Sequence, residues 1–408
     1  MRPTNIRAIC LVAALLLSGA LTLQADDWPH WRGPDRNGIS RETDWTDDWP
    51  AAGAKIAWKA YVGAGFSSFV VKDDRVFTTG NQDDEDTVYC FDAESGKELW
   101  SHTYPAPLDA KFFSGGTTGT PTTDGDVLYQ LSRRGELFCF NAADGKVRWS
   151  KNLPEETGVR IPGWGFAGAP LVDGERLLLS VGETGTALDK KTGKLIWKSD
   201  NKDAGYATPL PFEYQGKSLA LIPSGKFYHL IDRTTGAELW RHRWLTRFGV
   251  NAADPIRSGD HVFISSGYNR GAALLKLGGD KPDVVWNNKE LQNQMNASVL
   301  IDGHLYGIDG DTTSDCFLKC VELMTGEVRW SHEGVGSGAL TAANGKLIVL
   351  TEEGTLMIVP ATPEKFQTTV KAKVIPGPTW TVPVLANGRI YCRNSEGDVV
   401  CLDVRGAK

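Results

Sequence analysis

From about residue 55 to residue 404 the chain is a series of short β-rich runs separated by small polar turns. Residues 120–149 show the pattern. Thr120-Pro121-Thr122-Thr123 leads into Asp124-Gly125, a turn signal. Val127 to Leu131 is the next β-rich run, and Arg133-Arg134-Gly135 turns the chain. Glu136 to Phe140 follows, Ala142-Ala143-Asp144-Gly145 turns it again, and Lys146 to Trp149 closes the unit. Runs this short, bounded by Gly and Asp, are strands joined by tight hairpins. The helical period of apolar residues is absent.

This four-strand unit recurs. Trp58, Trp100, Trp149, Trp197, Trp240, Trp286 and Trp330 stand 42 to 49 residues apart, and each ends a similar phrase. Phe91-Asp92 to Trp100, Phe140-Asn141 to Trp149, Leu188-Asp189 to Trp197, Ile231-Asp232 to Trp240 and Val321-Glu322 to Trp330 are its copies. A fixed period in the forties marks a repeat architecture. Tandem four-stranded antiparallel units make a β-propeller, in which each blade has two apolar faces to bury against its neighbours. A glycine precedes the last strand in most copies (Gly96, Gly145, Gly193, Gly236, Gly326), as expected for a left-handed position that costs other residues roughly 1 kcal/mol.

Counting inner strands sets the number of blades. Segments 67–71, 120–123, 169–172, 208–212, 254–257, 297–301, 338–342 and 381–385 make eight. The seventh unit lacks its Trp, and Ala361-Thr362-Pro363 replaces the usual turn. The eighth stops at Cys401-Leu402-Asp403-Val404, short of an outer strand. Lys55-Ile56-Ala57-Trp58-Lys59 has the pattern to supply it. The expected fold is therefore an all-β, eight-bladed propeller over 55–404, closed by its N-terminal strand and leaving no open end blade. Residues 26–54 read as an irregular, Trp-rich leader.

Arg2 and Arg7 precede an apolar stretch, Ala8 to Leu23, broken by Ser18 and Gly19. Leu23-Gln24-Ala25 offers a cleavage point before Asp26, with Ala20 as the alternative. An uncleaved anchor would need about 20 uninterrupted apolar residues. Residues 1–25 are thus read as a signal peptide. The mature chain is expected to be exported, periplasmic or extracellular, and without a membrane span. Its formal charge of −6 becomes more negative once Arg2 and Arg7 are removed, and no basic block stands out, so nucleic acid is excluded as a partner.

Export permits disulfides. Cys90, Cys139, Cys320 and Cys401 occupy one equivalent repeat position and read as small buried apolar residues. Cys316 and Cys320 are about 13 Å apart along a strand, too far for a bridge. Cys392 and Cys401 flank the turn at 394–397, which leaves a cross-strand bridge open. The histidines have no ligand spacing, and no haem-attachment motif is present.

The phrase Asp189-Lys190-Lys191-Thr192-Gly193-Lys194-Leu195-Ile196-Trp197, repeated with variation, resembles the tryptophan-docking repeat of the pyrroloquinoline quinone (PQQ) propeller superfamily. The leader Asp27-Trp28-Pro29-His30-Trp31-Arg32-Gly33-Pro34 is similar to that of exported planctomycete-type members. No Trp-Asp pair closes a unit, which disfavours a WD40 ring. The resemblance implies one of two classes: quinoprotein dehydrogenases, or non-catalytic scaffolds of the BamB type. The dehydrogenases typically carry a vicinal Cys-Cys pair, a Ca²⁺ held by Glu and Asn, and a catalytic Asp. This chain has no Cys-Cys pair, and no residue matches those roles by motif. No catalytic, cofactor or metal residue is assigned and no cofactor is expected, PQQ being the one the resemblance would imply. The resulting expectation is a monomeric scaffold that binds envelope proteins. A PQQ-dependent oxidoreductase and a carbohydrate-binding propeller stand as alternatives.

Loops before the inner strands and between the second and third strands share one face of a propeller. The first set carries Phe66, Trp164, Phe166, Tyr206 and Trp380. The second carries Arg133, Arg134, Lys226 and Arg270, with Arg160 and Arg247 nearby, while Asp309, Asp311, Glu352 and Glu353 stand on later blades. The candidate binding face is Phe66, Arg134, Arg160, Trp164, Tyr206, Lys226, Arg270 and Trp380, basic and aromatic on one half and acidic on the other. The alternative is that the aromatics plug the channel and the charges are solvated. Asp309 to Asp315 alternates carboxylates as a calcium loop does, yet lacks the later Glu and reads as a polar hairpin. Asp83-Asp84-Glu85-Asp86 reads as a solvated acidic turn.

Burying one indole removes ~150–250 Å² from water, which at ~25 cal/mol/Å² is about 4–6 kcal/mol gross. Trp149→Ala or Trp197→Ala is therefore expected to cost roughly 3–5 kcal/mol in denaturant unfolding. A loss under about 1 kcal/mol would contradict a wedge role for these rings.

Overall fold

The computed structural model describes residues 26–50, 53–110, 113–199 and 203–406. The expected signal peptide, 1–25, with its candidate cleavage points after Ala20 and Ala25, lies outside them. Among the described residues the strands form eight sheets, each with at least four strands. The blades run in chain order from the channel outward. Blade 2, for example, uses Thr122–Asp124, Val127–Leu131, Glu136–Asn141 and Val147–Asn152. Blade 8 is composite: Lys55–Tyr61 pairs antiparallel with Asp398–Asp403, Trp58 lying opposite Cys401. The eight-bladed, terminally closed propeller expected from the repeat is the observed fold. A short helix, Leu153–Thr157, follows blade 2; Asn152 caps its start and Gly158 ends it.

The repeat tryptophans hold the seams. Each sits on an outer strand at a register shift, as between Val147 and Trp149. The bulge bends the strand and re-aims the indole. The rings of Trp58, Trp100, Trp149, Trp197 and Trp286 then lie on the left-handed glycine of the next blade. A Cβ on Gly96 would stand 2.5 Å from the Trp58 ring, one on Gly145 2.5 Å from Trp100, and one on Gly193 2.8 Å from Trp149. At these positions a side chain is excluded twice, by φ near +70° and by the indole. The indole N–H also donates across the seam: Trp58 to Ala93 O at 3.0 Å, Trp100 to Ala142 O at 3.0 Å, Trp330 to Thr362 O at 2.7 Å.

The same geometry accounts for the cysteines. Cys90, Cys139, Cys320 and Cys401 lie directly opposite Trp100, Trp149, Trp330 and Trp58 on the neighbouring strand. All four are buried free thiols. Cys392 and Cys401 do not bridge. Cys401 pairs with Tyr391 and Cys392 with Val400, so the two thiols point to opposite faces of the sheet and join different core clusters.

The leader crosses the lower face. Trp28, almost fully buried, exchanges backbone bonds with Val71 on blade 1. Pro29 O accepts from Thr123 on blade 2, and Arg36 donates to Val172 O on blade 3. Arg32 donates to Ser298 O on blade 6. Ile39–Ser40 then adds a parallel fifth strand to blade 7. Blade 7 has no outer Trp, and Trp45 and Trp49 of the leader pack into the core between blades 7 and 8 instead.

The acidic turn differs from expectation. Asp83 and Asp84 are exposed, with φ of 54° and 61°, but Asp86 is buried. Its carboxylate accepts from Asn81 Nδ2 at 2.7 Å. Burial raises its pKa to about 6, against the Asn81 bond and the Arg133 charge, which lower it. An acid whose pKa is raised on folding holds a proton that the unfolded chain has released. Its contribution therefore favours the fold at low pH and is lost as pH rises from about 4 through 6. Asp86→Asn is expected to add about 1–3 kcal/mol of stability at pH 8 and almost none at pH 4. Urea titrations at the two pH values check this, and an equal change at both would contradict it.

Candidate functional site

The upper end of the central channel opens as a blind cup of about 230 Å³. Its walls are aromatic because the loops entering blades 1, 2, 3, 4 and 8 each deliver one ring. Phe66, entering blade 1, stacks on Trp380, entering blade 8, with centroids 5.4 Å apart and planes at 16°. Phe113 tilts against Phe66 at 5.5 Å. From blades 3 and 4 come Trp164 and Tyr206, edge to face at 6.0 Å. Phe248 continues this second group to Tyr268. Offset and edge-to-face pairs of this kind hold their rings in fixed orientations.

Below the rings the lining turns polar. Thr120 Oγ1 accepts from Ser68 N at 3.0 Å, and Thr208 Oγ1 accepts from Ala169 N at 3.0 Å. These bonds tie blade 1 to 2 and blade 3 to 4 at the channel wall. Asn296 donates to Trp380 O at 2.9 Å, and Gln294 donates to the Tyr268 hydroxyl at 2.7 Å. The floor is Trp31 of the leader and Asp254 of blade 5. Asp254 accepts from Trp31 Nε1 and from Thr208 N, and Arg32 lies 3.9 Å away. Burial pushes the Asp254 carboxyl up, opposed by the Arg32 charge. A buried carboxylate is tolerated when hydrogen bonds and a cation compensate it, and here they come largely from the leader. Asp254 is thus the anchor through which the leader closes the channel from below.

Of the residues singled out from the sequence, Phe66, Trp164, Tyr206 and Trp380 meet in the cup. The cationic four do not line it. Arg134 and Lys226 are exposed, and Arg160 is exposed and pairs with Asp203 at 2.9 Å. Arg270 lies flat on Trp244, 3.4 Å from the ring centroid. The acidic half is mostly internal. Asp309 pairs with Lys319 at 2.7 Å, Asp311 accepts from Tyr268 N and Thr313 N, and Glu352 accepts from Trp380 Nε1 at 2.7 Å. Only Glu353 of these acids is exposed. Among the described residues no cluster of three or more His, Cys, Asp or Glu could hold a metal ion, which includes the alternating carboxylates at 309–315.

Asp254 was legible in principle. It is a carboxylate at an inner-strand start where the other blades carry Ser, Thr, Ala or Gly, and such a position faces the channel. Trp31 was not legible, since nothing in the leader indicates how far it reaches beneath the ring.

A family model described as outer membrane protein assembly factor BamB, built on the PQQ repeat, matches residues 40–118 and 85–332, and the chain belongs to that family. Among solved structures, BamB from Moraxella catarrhalis aligns with a TM-score of 0.62 at 17% identity, covering 86% of this chain and 99% of that one. Quinohemoprotein alcohol dehydrogenase from Comamonas testosteroni aligns at 0.63 and 14% identity, covering 94% and 81%. The computationally designed Ika8 protein aligns at 0.62 and 12% identity, covering 86% and 100%. Identities this low establish a common fold. No curated protein matches the chain in sequence. The cup does not fit the tricarboxylate PQQ. Among the described residues no Lys or Arg lines it to pair with a carboxylate.

Proposed function

We propose, starting from membership of the BamB-like PQQ-repeat family, that this protein is an exported, non-catalytic scaffold that docks other proteins of the cell envelope on its upper face. One observation carries the reading: a contiguous basic and apolar patch beside the cup. Leu245 is 43% exposed and Phe248 48% exposed, in the loop leaving blade 4. The Arg247 guanidinium lies 5.1 Å from the Phe248 ring centroid. Trp244 N donates to Lys226 O, which brings exposed Lys226 to the start of this loop. Gly225 N reaches Asp203 O, and Asp203 carries Arg160. Large exposed apolar side chains rimmed by polar and charged groups mark interaction sites. Aromatic and Arg side chains dominate the energetics of such interfaces. The patch suits a segment combining acidic and apolar side chains.

A photo-reactive residue at position 248 is expected to cross-link a discrete envelope protein in cells. The double variant Lys226→Glu, Arg247→Glu, two exposed cations of the patch, leaves position 248 to the probe and is expected to abolish the product while its thermal unfolding stays unchanged. No discrete product, or one that survives the double variant, would contradict the reading.

A further inference from the structure

The cup itself is a separate opportunity from the patch beside it. Its walls offer flat aromatic faces on two sides, Phe66 with Trp380 and Trp164 with Tyr206. Between and below them the accessible groups are hydroxyls and amides. Thr120 Oγ1 and Thr208 Oγ1 each accept a backbone N–H from the neighbouring blade, so each keeps its own proton to donate. The Asn296 amide nitrogen is tied to Trp380 O, which orients the side chain and leaves its carbonyl oxygen as an acceptor.

This distribution of chemistry restricts the ligand. An anion lacks a cation to pair with among the described lining residues. A wholly apolar ring would strand the threonine and asparagine groups without partners. A volume of about 230 Å³ falls below the roughly 300–1,000 Å³ of drug-sized sites and matches one or two small rings. The remaining class has apolar faces and a polar edge. A pyranose has that form: its axial C–H groups, weakly positive, suit the negative face of an indole or phenyl ring, while its equatorial hydroxyls spread around the rim. The rings are held in place before a ligand arrives, by one another and by the Trp380 bond to Glu352. Little ordering remains to be done on binding.

We propose that the cup is a binding site for an uncharged hexopyranose, N-acetylated hexoses included, stacked on Phe66–Trp380 and hydrogen-bonded by Thr120, Thr208 and Asn296. This goes beyond the docking role and does not depend on it: the residues named here lie outside the patch, which meets the cup where Phe248 packs on Trp164 and Tyr268.

Isothermal calorimetry on the purified protein tests it, using glucose, galactose, mannose and N-acetylglucosamine, the disaccharides cellobiose and maltose, and glucuronate as the charged counterpart. At least one neutral sugar is expected to bind saturably, with a dissociation constant on the order of 0.1–1 mM. Glucuronate is expected to bind at least about tenfold more weakly. Stronger binding of a disaccharide than of its monosaccharide would identify a glycan chain, and the reverse a free sugar. Phe66→Ala and Asn296→Ala are each expected to weaken binding about tenfold or more, and Lys226→Glu, at an exposed side chain outside the cup, to leave it unchanged. If Phe66→Ala fails to fold, Asn296→Ala alone decides. No binding of any neutral sugar at tens of millimolar, equal binding of glucuronate, or binding that survives Asn296→Ala would each overturn the proposal. A failed cross-link at position 248 with intact sugar binding would count against the docking reading only.

Discussion

One contact is repeated around the ring, and the rest of the structure depends on it: the indole of one blade lying on the left-handed glycine of the next. Trp58 on Gly96, Trp100 on Gly145, Trp149 on Gly193, Trp197 on Gly236 and Trp286 on Gly326 are five instances. A four-stranded blade cannot bury both of its faces alone, so its stability comes from neighbours. The glycine allows the ring to approach within van der Waals contact of the backbone, and the bulge before each Trp turns the ring toward it. Where the contact is missing the chain compensates. Blade 7 has neither the bulge nor the Trp, and two leader indoles, Trp45 and Trp49, fill its seam with blade 8.

The leader thereby links ring closure to the site. One segment fills the seam that lacks a repeat Trp, adds a strand to blade 7, and inserts Trp31 under the channel. The channel is consequently a cup with one mouth, and the bonds that anchor the leader to Asp254 also form the floor of that cup. Ring stability and the shape of the binding face are coupled through these few residues.

The repeat was legible because it obeys local rules. The Trp period, the turn glycines and the strand runs each state their own conformation, and the N-terminal strand was identifiable as the missing edge of blade 8. The site was legible only in part. Phe66, Trp164, Tyr206 and Trp380 could be placed at the channel mouth because loop order in a propeller fixes position. Arg134, Arg160, Lys226 and Arg270 occupy similar loops, but their long side chains turn to solvent, to Asp203 or onto Trp244. The acids at 309, 311 and 352 looked like a charged rim and are instead internal acceptors of hydrogen bonds and ion pairs. Side-chain partners 10 to 43 residues apart, such as Lys319 for Asp309 and Asp203 for Arg160, are tertiary facts that a local pattern does not encode. The leader's path under the ring is of the same kind.

A double-mutant cycle on Trp100 and Gly145 reaches the central contact directly. Gly145→Ala in the native background should meet both the positive φ and the indole, where the added Cβ would stand 2.5 Å from the ring. With Trp100→Ala already present only the backbone cost, roughly 1 kcal/mol, should remain. Urea unfolding of the four proteins is predicted to give a coupling energy of about 1–3 kcal/mol. Additivity within about 0.5 kcal/mol would mean that the ring does not rest on the glycine, and would contradict the account of how the blades are held together.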